Sequence, residues 1–206
     1  MMTILLSDTG KRFNRDWIFR HLTYTFEAGR SYAVTGPNGS GKSTLLQAIS
    51  GALQVSEGTI EYGSSNPVLP ENIYQELSIC APSLELVEEM TLLEFLSFHQ
   101  NFKPFLSPLN PDKIISLLNL ENAAHKQIRN YSSGMKQRVK LAQCIFSDTP
   151  LVLLDEPCTN LDSSGIDLYQ HLIGEYCSRR TVIVSSNDKV EYDFCEFQLS
   201  ISDYKK

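Results

Sequence analysis

The segment Gly36-Pro37-Asn38-Gly39-Ser40-Gly41-Lys42-Ser43-Thr44 combines three glycines, one lysine and two hydroxyls in the spacing G-x-x-x-x-G-K-[ST]. That spacing points to phosphate chemistry. Gly36, Gly39 and Gly41 let the backbone curl until successive N–H groups face inward on phosphate oxygens, and Pro37, Asn38 and Ser40 complete the turn. The helix that must follow adds positive potential at its N-terminus. Lys42 is expected to reach the β- and γ-phosphates. The Ser43 hydroxyl is expected to ligate Mg²⁺, with Thr44 beside it.

A second constellation lies far along the chain, where Leu151-Val152-Leu153-Leu154 runs into Asp155-Glu156-Pro157. An apolar run of this length suits a buried parallel strand, and the C-terminal end of such a strand opens on the ligand crevice of the sheet. There Asp155 suits a carboxylate that holds Mg²⁺. Glu156 suits a base that polarises an attacking water.

Both constellations need strands and helices to bring them together. The first third reads as strands at Thr3–Leu6, Thr23–Phe26, Ser31–Thr35 and Thr59–Tyr62, with a helix from about Ser43 to Ala52. A polar stretch, Gly63–Asn72, precedes a short strand near Leu77–Ala81. Thr91 and Glu94 have capping-box spacing for a helix ending near Phe102, on which Phe95, Phe98 and Phe102 predict one apolar face. Asn110-Pro111 starts another helix. The last third alternates: helix Gly134–Phe146, strand Leu151–Leu154, helix Asp162–Cys177, strand Thr181–Ser185, and a strand near Phe197–Ile201. Alternation of this kind predicts an α/β fold with a mostly parallel sheet. The helical middle, about 84–148, is expected to be a subdomain inserted into a single domain spanning 1–206.

The bulk properties narrow the function classes. The 206 residues carry 18 Lys+Arg against 24 Asp+Glu, a net charge of −6. An acidic balance disfavours a nucleic-acid partner, since phosphate backbones are held mainly by Lys and Arg. No apolar run approaches the ~20 residues that span a bilayer. The N-terminal MMTILLSDTGKRF lacks a basic n-region and a long h-region, so a signal peptide is not expected. Cys80, Cys144, Cys158, Cys177 and Cys195 show no metal-binding spacing and are expected to be free thiols. His21, His99, His125 and His171 lie outside the motifs and are expected to pack or face solvent.

Tyr131-Ser132-Ser133-Gly134-Met135-Lys136-Gln137-Arg138 precedes Asp155. It resembles the signature motif of ATP-binding-cassette (ABC) ATPases, usually written LSGGQ. With the phosphate loop and Asp155-Glu156 in this order, the chain resembles an ABC-transporter ATP-binding subunit over nearly its whole length. Ser132 and Gly134 align with the serine and second glycine of the motif, while Ser133 and Met135 replace its first glycine and its glutamine. The resemblance implies a P-loop NTPase fold of the ABC type, with an N-terminal antiparallel β-part, and ATP hydrolysis with Mg²⁺. It also implies a head-to-tail dimer in which Lys42 of one chain and Ser132 and Gly134 of the other hold each γ-phosphate. Thr159-Asn160-Leu161-Asp162 matches the D-loop that communicates between the two sites. A separate integral membrane permease is implied as the second partner, placing the chain at the cytoplasmic face of a membrane. Size and signature type also resemble the short ATPase subunits of haem exporters.

Two positions depart from the family pattern. Ile79-Cys80-Ala81-Pro82 leads into Ser83 where a glutamine is usual. Thr181–Ser186 leads into Asn187-Asp188 where His-Asp is usual. Ser83 is shorter than glutamine, and Asn187 donates only a neutral hydrogen bond, so binding is expected to persist with slower hydrolysis. An aromatic upstream of the phosphate loop is implied to stack on adenine, with Phe13 at that place and Trp17 as competitor. Two other readings stand beside the transporter motor: a nucleotide-gated module with weak ATPase activity, and a non-transport ABC ATPase acting on nucleic acid or ribosomes.

Overall fold

A computed structural model of the chain describes residues 2–63 and 67–205. Strands β1 (Ile4–Phe13), β2 (Asp16–Phe26) and β4 (Glu57–Tyr62) form an antiparallel sheet in the order β2-β1-β4. Strands β3 (Ser31–Thr35), β5 (Leu77–Cys80), β6 (Leu151–Asp155), β7 (Thr181–Ser185) and β8 (Phe197–Ser200) form a parallel sheet in the order β5-β6-β7-β3-β8. Every residue of β6 and β7 is buried. Their continuous apolar runs are what a strand covered on both faces requires.

Helix α1 (Lys42–Ile49) shares one core with both sheets: Ile4, Phe26, Leu45, Leu46, Leu153 and Ile183 belong to it. A second core lies on the other face of the parallel sheet. There Val152, Leu154 and Val184 pack against α3 (Leu92–His99), α4 (Pro111–Leu117), α5 (Ser133–Ile145) and α6 (Ser163–Tyr176). Helices α2 (Ile73–Glu76) and α7 (Lys189–Tyr192) are single turns.

The capping chemistry forms as the spacing requires. Glu94 N donates to Thr91 Oγ1 at 3.3 Å, and Thr91 N donates to Glu94 Oε2 at 2.9 Å. Lys113 N donates to Asn110 Oδ1 at 2.9 Å ahead of α4.

Two expectations are corrected. The first two strands run longer than Thr3–Leu6 and Thr23–Phe26, because β1 is paired on both sides. Asp8, at φ +48, and Gly10 are absorbed at register shifts instead of ending the strand. Helix α3 stops at His99, and the expected apolar face does not hold. Phe95 is buried, whereas Phe98 and Phe102 are 44% and 71% exposed and pack edge-on against each other. The polar stretch Gly63–Asn72 ends in a 3-10 turn at Pro70–Asn72, in keeping with its reading as turn-rich, and its residues 64–66 lie outside the described residues.

Candidate nucleotide site

The phosphate loop connects β3 to α1 at the C-terminal edge of the parallel sheet. Gly41 has φ +107, and a Cβ there would collide with Ile18 of β2, so only glycine fits. Lys42 is buried, and its Nζ donates to the carbonyls of Gly36 at 2.8 Å and Pro37 at 3.4 Å. The ammonium is thus centred inside the loop. A cavity of about 200 Å³ is lined by Ile18, Asn38, Gly39, Gly41, Lys42, Ser43, Thr44 and Glu156. The loop and the carboxylate after β6 therefore meet, as their types predict.

Ser43 also faces a second cavity of about 220 Å³, which it shares with Asp155, Ser83, Gln47, Ile79 and Leu84. Ser83, despite its short side chain, is placed beside the serine and aspartate that suit a cation. Gln47 was not anticipated. Its signal was its position four residues after Ser43 on α1, since i and i+4 share a helix face.

Three buried oxygens have no hydrogen-bond partner among the described residues: Ser40 Oγ, Asp155 Oδ1 and Ser185 Oγ. Asp155 and Ser185 are register partners at the ends of β6 and β7. A buried polar atom without a partner costs ~1–3 kcal/mol, so such a cluster marks a place where a ligand completes the bonding. A hydroxyl and a carboxylate are hard oxygen donors, the set that suits Mg²⁺.

Glu156 adopts φ +45, a left-handed conformation that is uncommon for a side-chain-bearing residue. Its N–H donates to Ser185 O at 2.9 Å. Two neighbours escaped the sequence reading. Gln137 Nε2 donates to Pro157 O at 2.7 Å, and Cys158 N donates to Glu191 Oε1 at 2.7 Å. Burial pushes the Glu191 carboxyl above the usual carboxylate range. Asn187 is exposed, and its Nδ2 donates to Asn38 Oδ1 at 2.9 Å.

The signature segment lies elsewhere. Ser132 Oγ accepts from Met135 N at 3.3 Å and caps α5. A Cβ on Gly134 would come within 3.0 Å of Asn160 O, so glycine permits the close approach of this helix end to the D-loop. A cavity of about 550 Å³ is lined by Ser132, Gly134, Met135, Arg138, Asn160, Asp162 and Lys126, among others. It shares no lining residue with the phosphate-loop cavity. Asp162 Oδ1 accepts from Gly165 N at 2.8 Å and lies 3.4 Å from Arg138. The Gly165 N–H holds the Asp162 carboxyl below its usual range.

The two aromatic candidates differ in environment. Phe13 is 47% exposed near the β1–β2 turn. Lys11 Nζ lies 5.1 Å from the Phe13 ring centroid, and the guanidinium carbons of Arg20 and Arg12 lie 4.4 Å and 5.4 Å from that of Trp17. Neither lines the phosphate-loop cavity; Ile18 of the same hairpin does. A separate cavity of about 460 Å³ sits among Gly29, Ile173, Gly174, Arg180 and Phe194 and contains none of the motif residues.

A phosphate loop meeting an acidic strand end on a parallel sheet, a separate signature segment and an antiparallel β-layer define an ABC-type P-loop ATPase. The family model for ABC transporters matches residues 19–159, and the chain belongs to that family. It is 31% identical over 203 residues to the uncharacterized ABC transporter ATP-binding protein YybJ of Bacillus subtilis, covering 93% of this chain and 89% of that one. It is 33% identical over 153 residues to the cytochrome c biogenesis ATP-binding export protein CcmA of Xylella fastidiosa, covering 74% and 68%. A putative ABC transporter ATP-binding protein from Pyrococcus furiosus superposes with a TM-score of 0.82 at 22% identity, over 99% of this chain and 100% of that chain. The dimeric cassette MJ0796 superposes at 0.80 with 21% identity, over 97% and 95%. The chain is an ABC-type ATPase that binds ATP. Among the described residues no helix is long and apolar enough to cross a membrane.

Proposed function

We propose that two copies of this cassette close head to tail on two ATP molecules and that the closure drives a separate membrane permease. The observation that carries this reading is the separation of the half-sites. Ser132 and Gly134 line one cavity and Lys42 lines another, with no residue in common. Within one chain the signature segment does not line the phosphate-loop cavity. Facing a second chain, the Ser132 hydroxyl, the Gly134 N–H and the N-terminus of α5 form a phosphate-binding surface.

In each composite site Lys42 and the free backbone N–H groups of the loop, those of Gly39, Gly41, Lys42 and Ser43 among them, hold the phosphates. Mg²⁺, when bound, neutralises charge on the β- and γ-oxygens, and Ser43 and Asp155 are the residues that would hold it. Glu156 takes the proton of the attacking water. Ser83 and Asn187 stand near the reacting end, and Asp162 helps fix the D-loop. Phe13 is the adenine platform with Trp17 as competitor: both rings carry a cation, and Phe13 is the more exposed of the two. The cassette comprises residues 1–206 with the helical piece at 84–148, and its place is the cytoplasmic face of a membrane beside its permease. The acidic balance of −6 supports a protein partner over nucleic acid.

The test is Glu156→Gln with ATP and Mg²⁺, read by size-exclusion chromatography and phosphate release. Turnover should vanish while ATP-bound dimers accumulate. Monomers at saturating ATP would sink the sandwich.

A further inference from the structure

The carbonyl of Pro157 and the N–H of Cys158 belong to one peptide unit, and two buried side chains grip it from opposite elements. Gln137 of α5, 4% exposed, donates to the carbonyl at 2.7 Å. Glu191 of α7, 5% exposed, accepts from the N–H at 2.7 Å. This peptide is the second after Glu156, separated from it only by the rigid Pro157, and the Glu156 φ of +45 is a conformation that persists only where its surroundings over-determine it. The same grip reaches two other motifs. Gln137 lies on the helix capped by Ser132, and Glu191 lies four residues after Asn187. Tyr169 Oη donates to Glu191 O at 2.7 Å and ties α7 to α6.

We infer that Gln137 and Glu191 are positioning residues that clamp the Pro157–Cys158 peptide and so hold Glu156 in its working conformation. The clamp links the signature helix, the loop after β6 and the Asn187 segment through one planar group. A displacement of α5 therefore acts on Glu156 directly. Neither residue lines the phosphate-loop cavity, so both act on the base and not on the nucleotide.

This inference rests on Glu156 being the base, and the experiment separates the two. ATP turnover and nucleotide affinity are measured for Gln137→Met, Glu191→Leu, Glu191→Gln and the Gln137→Met/Glu191→Leu double variant, with thermal melting to confirm folding. Gln137→Met conserves volume while removing the donor. Gln137→Met and Glu191→Leu should each lower kcat about 10-fold or more with nucleotide Kd within about 3-fold, the pattern of a lost contribution to the reacting state. Both act through one peptide, so the double variant should lie within about 3-fold of the worse single one. Glu191→Gln keeps an oxygen for the Cys158 N–H and should recover most of the rate lost in Glu191→Leu. An unchanged kcat in folded Gln137→Met overturns the clamp even if Glu191→Leu fails to fold. So does a Kd that rises in step with the loss of rate, or multiplicative effects in the double variant. Residual turnover in Glu156→Gln would instead refute the assignment of the base, whatever the clamp variants show.

Discussion

Asn187 Nδ2 donates to Asn38 Oδ1 at 2.9 Å, joining residues 149 positions apart in the chain. The segment after β7 is thereby tied to the phosphate loop by a neutral side-chain pair. In this family the first of these positions usually carries histidine. A charged donor contributes ~1.5–3 kcal/mol and a neutral one ~0.5–1.5 kcal/mol, so in the proposed role Asn187 gives up roughly 1 kcal/mol relative to a protonated histidine. Asn187→His should raise kcat about 5-fold, the rate equivalent of that energy. Steady-state phosphate release checks it, and an unchanged rate would remove the explanation.

Ser83 shares a cavity with Ser43 and Asp155, and Gln47 enters the same space from α1. Ser83→Gln should strengthen Mg²⁺-dependent nucleotide binding several-fold, because a longer side chain supplies an oxygen where two hard donors already converge. Titration of a fluorescent nucleotide at varied Mg²⁺ measures the change. Affinity that stays constant with Mg²⁺ in both proteins would rule out a cation at this place.

Arg180 is buried and makes five contacts of hydrogen-bond type, including Thr149 O at 2.6 Å, Ile145 O at 2.6 Å and Thr149 Oγ1 at 2.7 Å. It joins the end of α5 to the approaches of β6 and β7. Arg180→Met should destabilise the fold by ~3 kcal/mol or more, since several buried acceptors lose their donor at once. Urea unfolding should show a lower midpoint. Nucleotide affinity of the folded fraction should hold, because Arg180 lines the cavity remote from the motifs.

Burial pushes His99 down to about 4, with Lys103 adding to the effect. The folded state therefore keeps this imidazole neutral. The unfolded chain binds a proton near pH 6.5, so it binds more protons than the folded state between about pH 6.5 and pH 4. The contribution is intact above pH 6.5 and is lost as pH falls through that window. Denaturant unfolding at pH 7.5 and pH 5 should show a loss of ~2 kcal/mol from this group, smaller in His99→Gln. Equal losses in the two proteins would assign the acid sensitivity elsewhere.

The sequence by itself determined the chemistry that depends on contiguous residues. Gly36–Thr44 can be read because a phosphate nest is built from one turn of backbone and the helix after it. Leu151–Glu156 can be read because a strand buried on both faces must be apolar until it reaches the crevice. Caps at Thr91 and Asn110 are local for the same reason. The three-dimensional fold decided everything that depends on which distant segments meet. Phe98 and Phe102 share helical spacing with Phe95, but only packing against α4 and α5 settles which of them is buried. Gln137 lies inside the signature segment, but its partner is not written there, and Glu191 carries no motif signal. They become a pair because the loop after β6 passes between α5 and α7, and a peptide group in a dry interior must find both a donor and an acceptor. The separation of Ser132 from Lys42 is likewise a property of the fold. Spacing along the chain points to what each motif can bind, and only tertiary placement puts the two motifs on separate cavities.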